Sequence, residues 1–73
     1  SRIFKEVKGI GYNDYVVECR MERAAWLLGG TKQPLSGIAA QVGYASSSYF
    51  IRTFRKVFGM TPTEYRKQME LKG

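Results

Sequence analysis

Residues 34–65 read PLSGIAAQVGYASSSYFIRTFRKVFGMTPTEY, from Pro34 to Tyr65, and this stretch decides the fold. Leu35, Ile38, Ala39 and Val42 share one face of a short helix that ends at Gly43, and Pro34 suits its first turn. Gly37 inside that helix costs about 1 kcal/mol relative to alanine, which predicts that packing holds it there. Ser46 is placed to cap the next helix, its hydroxyl accepting from a free backbone N–H. In that helix Phe50, Phe54, Val57 and Phe58 recur at helical spacing as a core face, while Ser48, Arg52, Arg55 and Lys56 fall on the reverse. No acidic residue interrupts the positive charge from Ser46 to Phe58. Gly59 stops the helix. Thr61, Pro62 and Glu64 then supply a cap, a first-turn proline and the reciprocal carboxylate of a capping box, opening a last helix that runs to Leu71 with Tyr65 packed on its own lobe.

Working outward, the segment that begins at Ser1 superposes without a gap on the one that begins at Ile51. Arg2 falls on Arg52, Phe4 on Phe54, Val7 on Val57, Gly9 on Gly59 and Tyr15 on Tyr65, and Lys5 matches Arg55 in charge. The chain therefore carries an internal repeat. A first copy of the two-helix unit would need residues before Ser1, so the chain is expected to begin partway through a unit. Residues 1–9 read as the end of a helix stopped by Gly9, with Ile3, Phe4 and Val7 on one side. These three are expected to be covered by a second chain or exposed, which makes them a candidate surface for self-association.

Residues 12–30 carry the longest helical pattern, clearest from Asn13 to Leu28 and about 24 Å long at 1.5 Å per residue. Val17, Met21, Ala24 and Leu28 form one apolar row; Tyr15, Cys19, Trp26 and Leu27 spread over a second arc. Two apolar flanks suit a helix buried between two small lobes. Asp14, Glu18 and Glu22 repeat four residues apart, repel slightly, and are expected to face solvent. Arg20 and Arg23 lie opposite and fit two roles, bracing the fold through ion pairs or touching phosphate. Gly29 and Gly30 are expected to end the helix through the left-handed backbone that glycine adopts readily.

Seventy-three residues make one small domain, and a chain of this length buries only about 60% of its unfolded surface. Cys19 is the single cysteine, which precludes an internal disulfide and fits a reducing cytoplasm. It reads as a small core residue. No apolar run approaches the roughly 20 residues needed to span a bilayer. Twelve Lys and Arg against six Asp and Glu give a net charge of +6 and a pI near 9.8, which favours an anionic partner. There is no histidine to act as a base or to activate Cys19. The carboxylates are scattered or committed to caps, so no catalytic, metal or cofactor site is expected.

The expected fold class is all-α: a helix-turn-helix, homeodomain-like lobe (34–73), a long helix (12–30), and the remnant of a second helix-turn-helix lobe (1–9). Double-stranded DNA is its first candidate partner and an anionic membrane surface the second. A major groove about 12 Å wide admits one helix, and a bidentate Arg on guanine is the commonest specific contact. That geometry aims Arg52 at base edges. The Ser46, Ser47 and Ser48 turn meets phosphate through backbone N–H groups, and Arg55 and Lys56 serve backbone charge. An amphipathic helix with three basic residues can equally be a solvated face, and the recurrence of Arg2 at Arg52 and Lys5 at Arg55 weighs against that alternative.

The run from Ile38 to Arg66, I-A-x-x-V-G-Y-x-S-x-S-Y-F-x-R-x-F-R-K-x-F-G-M-T-P-x-E-Y-R, resembles the C-terminal signature of the AraC/XylS transcriptional regulators. The resemblance implies two helix-turn-helix lobes reading adjacent major-groove segments, with 12–30 as linker and 46–58 as the second recognition helix. It carries base contacts onto Ser47, Ser48 and Arg52, and onto Ser1 and Arg2 in the first lobe, with Lys5 nearby for phosphate. It further implies a bacterial, cytoplasmic transcription factor, an activator that contacts RNA polymerase in its intact form. Two departures stand out. Gly37 occupies a position that is usually acidic in the family, and the chain is expected to begin after the opening helices of the first lobe. A chain with one complete lobe is expected to bind DNA weakly, in the non-specific range of roughly 10⁻⁴ to 10⁻⁶ M. A protein-interaction module that docks its basic helix on an acidic partner is the alternative function. A membrane-surface helix is a third, disfavoured because the aromatic residues are needed for the core.

Overall fold

A computed structural model describes residues 11–72, apart from the side chain of Tyr12. These residues form four helices: α1 (Tyr12–Gly30), α2 (Leu35–Gln41), α3 (Ser47–Phe58) and α4 (Pro62–Lys72). The predicted end of a first recognition helix, with Ser1, Arg2, Lys5, Ile3, Phe4 and Val7, lies outside the described residues.

Helix α1 is the spine. It touches each of the other three helices, while α2 packs on α3 and α3 on α4. Met21, Ala24 and Leu28 of the predicted row are buried, and Val17 is packed against them at the edge. From the other side come Ile38 and Ala39 of α2, Val42 and Tyr44 of the turn, and Phe50 and Phe54 of α3. Phe50 and Phe54 are wholly enclosed, each contributing about 1.5–3 kcal/mol of burial free energy. Their rings begin a continuous aromatic stack: Phe54 lies 4.6 Å from Phe58 between centroids and meets Tyr65 edge-on at 5.6 Å. Tyr65 thus packs on its own lobe, as its position in the repeat suggests.

The second apolar arc of α1 does not form. Only Leu27 of that set is buried; Tyr15 and Cys19 are exposed and Trp26 is 69% exposed. The core centres on the Met21, Ala24 and Leu28 row and widens to Ala25 and Leu27, which turns Cys19 away from it. Glu18 departs in the opposite sense. It is 7% exposed, because the first half of α1 runs beside α3 and Glu18 joins Asp14 and Val17 in lining the groove between them. Asp14 and Glu22 remain exposed, as predicted.

Gly29 and Gly30 do not end α1 by turning left-handed. Both stay helical, and the stop is Thr31, which takes an extended conformation and sends both its N–H (3.0 Å) and its hydroxyl (2.6 Å) to the Leu27 carbonyl. Arg66 of α4 completes this end by donating to the Leu28 and Thr31 carbonyls. Gly37 is not locked by packing either. A Cβ there would sit 3.5 Å from Pro34 Cγ, an ordinary contact.

Candidate nucleic-acid interface

The turn between α2 and α3 sets the angle at which α3 is presented. After Gln41 the chain passes through Val42 to Gly43, whose φ of +102° a side chain would strain. Gly43 N–H donates to Ala40 O at 3.1 Å and Tyr44 N–H to Ala39 O at 2.8 Å. This is the paired-bond C-terminal stop known as a Schellman motif, with Tyr44 as the apolar residue that closes it. A second constraint acts on the same glycine. The Arg20 guanidinium crosses so near that a Cβ on Gly43 would lie 3.1 Å from its Cζ. Arg20 itself is exposed, with its Cζ 5.4 Å over the Tyr44 ring, a contact with the turn made through an aromatic ring and not through the expected ion pair. Arg23 is exposed beside Cys19, Glu22 and Trp26.

Helix α3 begins as the sequence predicts. Ser46 is its N-cap, and the Ser46 hydroxyl accepts from Tyr49 N–H at 3.3 Å. Ser46 and Ser48 are exposed and Ser47 half-buried, and the N–H groups of a first helical turn have no partners within the helix. The far end closes at Gly59, left-handed at φ +79°. Thr61 and Glu64 then form the predicted reciprocal pair: Thr61 N–H donates to Glu64 Oε1 at 2.9 Å, and Glu64 N–H to Thr61 Oγ1 at 3.2 Å.

Arg52, Arg55 and Lys56 are all exposed, yet they diverge. Arg52 and Lys56, one turn apart, border the groove of about 570 Å³ that α3 makes with Asp14, Val17 and Glu18 of α1. Arg55 lies toward the other flank, where its positive charge acts on Glu64. The hydrogen bonds from Thr61, and secondarily Arg55, hold the Glu64 carboxyl below its ordinary range. Tyr49, which the sequence reading passed over, joins this surface: its ring is 55% exposed, touches Tyr44, and lies under the Arg52 guanidinium at 5.8 Å. An aromatic three residues before an arginine on the outer face of a helix is the signal that would have found it. Among the described residues no His, Cys, Asp and Glu cluster suited to a metal occurs, and no helix is long and apolar enough to cross a membrane.

Comparison with known proteins agrees with this arrangement. The profile of a helix-turn-helix domain family matches residues 1–68. The HTH-type transcriptional activator RhaR of Mannheimia succiniciproducens is 42% identical over 67 residues, covering 92% of this chain and 24% of that protein. The HTH-type transcriptional regulator GadX of Escherichia coli O6:H1 is 43% identical over 61 residues, covering 84% of this chain and 22% of that one. The chain thus spans about a quarter of the length of these curated relatives. Among solved structures, an AraC-type DNA-binding-domain regulator from Chromobacterium violaceum superposes with a TM-score of 0.85 at 35% identity, covering 99% of this chain and 64% of the other.

Proposed function

Because this chain belongs to the AraC-type helix-turn-helix family, we propose that it reads double-stranded DNA for a transcription regulator, with α3 lying in the major groove. One observation carries the reading. The aromatic face of α3 is sealed into the core, while its opposite face, exposed and without an acidic residue, is held at a fixed angle by the Gly43 turn. In this placement Arg52 addresses base edges, Ser47 and Ser48 lie where the helix start meets the duplex, and Ser46, Arg55 and Lys56 serve phosphate. Ser1, Arg2 and Lys5 are assigned the corresponding roles in a first lobe by the repeat and the family pattern. Binding through the lobe formed by α2, α3 and α4 alone is weak and largely electrostatic.

For the intact protein, RNA polymerase is the proposed second partner and the cytoplasm the proposed compartment. The naming of the RhaR relative as a transcriptional activator supports the first. The want of a membrane-crossing helix among the described residues is consistent with the second. Self-association is assigned to Ile3, Phe4 and Val7 on their apolar pattern alone.

The test is a salt titration of binding to a duplex selected from a random library, with a scrambled duplex alongside. The expected result is a linear fall of log K with log salt at about −0.9 per phosphate neutralised, together with a preference for the selected duplex. A flat salt response would instead point to an acidic protein partner.

A further inference from the structure

We infer that Tyr49 is a positioning residue for Arg52, holding its guanidinium over an aromatic ring so that the N–H donors around its rim remain free for a base edge. The inference rests on the DNA-reading role proposed for Arg52 and deepens it.

Three observations carry it. Tyr49 is a large aromatic side chain left 55% exposed on the first turn of α3. Its ring is in contact with the body of the fold, lying 5.5 Å from that of Tyr44, which is buried and itself lies beneath the Arg20 guanidinium of α1. And Arg52, one turn on, has its Cζ over the Tyr49 ring at 5.8 Å. The order Arg20, Tyr44, Tyr49, Arg52 thus ties the exposed guanidinium back to the spine of the fold.

The chemistry explains why a ring suits the task better than a carboxylate. A guanidinium is planar, with five N–H donors around its rim and none on its faces. An acidic partner would occupy the rim, and Asp14 lines the same groove that Arg52 borders. Stacking occupies a face and leaves the rim whole. It also orders a side chain rich in rotamers before DNA arrives, which lowers the entropy lost on binding.

The experiment uses the chain with Tyr49→Phe, Tyr49→Leu, Arg52→Ala and the Tyr49→Leu/Arg52→Ala pair. In free protein, the Arg52 Hε resonance is expected upfield from the ring current, retained in Tyr49→Phe and lost in Tyr49→Leu. On a duplex selected from a random library, Tyr49→Leu is expected to weaken binding by about two- to fivefold and to relax preference at the base pair where Arg52→Ala relaxes it. Tyr49→Phe should match the parent. In the Arg52→Ala background, Tyr49→Leu should cost nothing further. An equal cost in both backgrounds, or a Phe variant as impaired as the Leu variant, overturns the inference. The resonance separates two kinds of failure. Its absence in the parent refutes the stack itself. Its presence, with Arg52→Ala weakening selected and random duplexes alike, refutes the base-reading role of Arg52 and the inference with it.

Discussion

Arg66 Nε donates to the carbonyl oxygen of Leu28 at 3.0 Å, joining α4 to the end of α1 across 38 residues of sequence. A second donor of the same guanidinium reaches the Thr31 carbonyl at 3.2 Å. A helix C-terminus presents carbonyls without internal partners and a partial negative charge, and a cation there answers both. Arg66→Ala is therefore expected to destabilise the fold by about 1.5–3 kcal/mol, the range for hydrogen bonds to charged groups. Arg66→Lys should recover only part of this, since an ammonium lacks the planar fork that spans two carbonyls. Urea denaturation followed by circular dichroism measures both.

Two glycines should respond in opposite directions to the same substitution. Gly43→Ala places a Cβ on a backbone at φ +102° and 3.1 Å from Arg20 Cζ, and is expected to cost about 1–3 kcal/mol. Gly37→Ala meets only an ordinary contact with Pro34 and should stabilise by about 0.4–1 kcal/mol, chiefly by restricting the unfolded chain. Midpoints of thermal unfolding that move the same way would contradict the two accounts.

The Glu64 carboxyl titrates below its ordinary value because it accepts from Thr61 N–H and bonds its side chain, with Arg55 adding to the effect. A carboxyl whose folded value is depressed contributes stability that is full above its unfolded value and is lost as pH falls through the folded one. Glu64→Gln is accordingly expected to be less stable than the parent at neutral pH, with the gap narrowing on acidification below pH 4.5, the ordinary value for this group. A gap that is constant with pH would mean that the carboxylate charge has no part in the cap.

On DNA, Arg52→Ala is expected to cost about 1–3 kcal/mol on a selected duplex and to relax preference at one base pair. Lys56→Ala should weaken all duplexes alike and lower the salt slope by about one phosphate. Competition binding against single-base variants distinguishes them, and like losses on selected and random duplexes for both would reverse the assignment of Arg52.

Much of the fold was legible because its signals are local. The Ser46 cap, the Gly59 stop and the Thr61 and Glu64 pair each sit within four residues of the groups they satisfy, and the core face of α3 follows from spacing alone. What escaped was decided across the chain. Cys19 and Trp26 look apolar on a helical wheel, but which arc of α1 is buried depends on where α2 to α4 come to lie. The placement of Glu18 depends on the approach of α3. Gly29 and Gly30 read as a helix stop until Thr31 and the distant Arg66 take over that role. At the interface, the charges of Arg52, Arg55 and Lys56 were evident, whereas their separation onto two flanks and the ring beneath Arg52 required the packed structure.

Trp26 is the single tryptophan, and it stands 69% exposed on the outer side of α1. An indole already bathed in water emits at the red end of its range before any unfolding begins, so its fluorescence should change little when the core melts. The same isolation makes it a natural optical reporter: whatever comes to rest on that side of the spine will announce itself as a blue shift, against a background that the folding equilibrium barely disturbs.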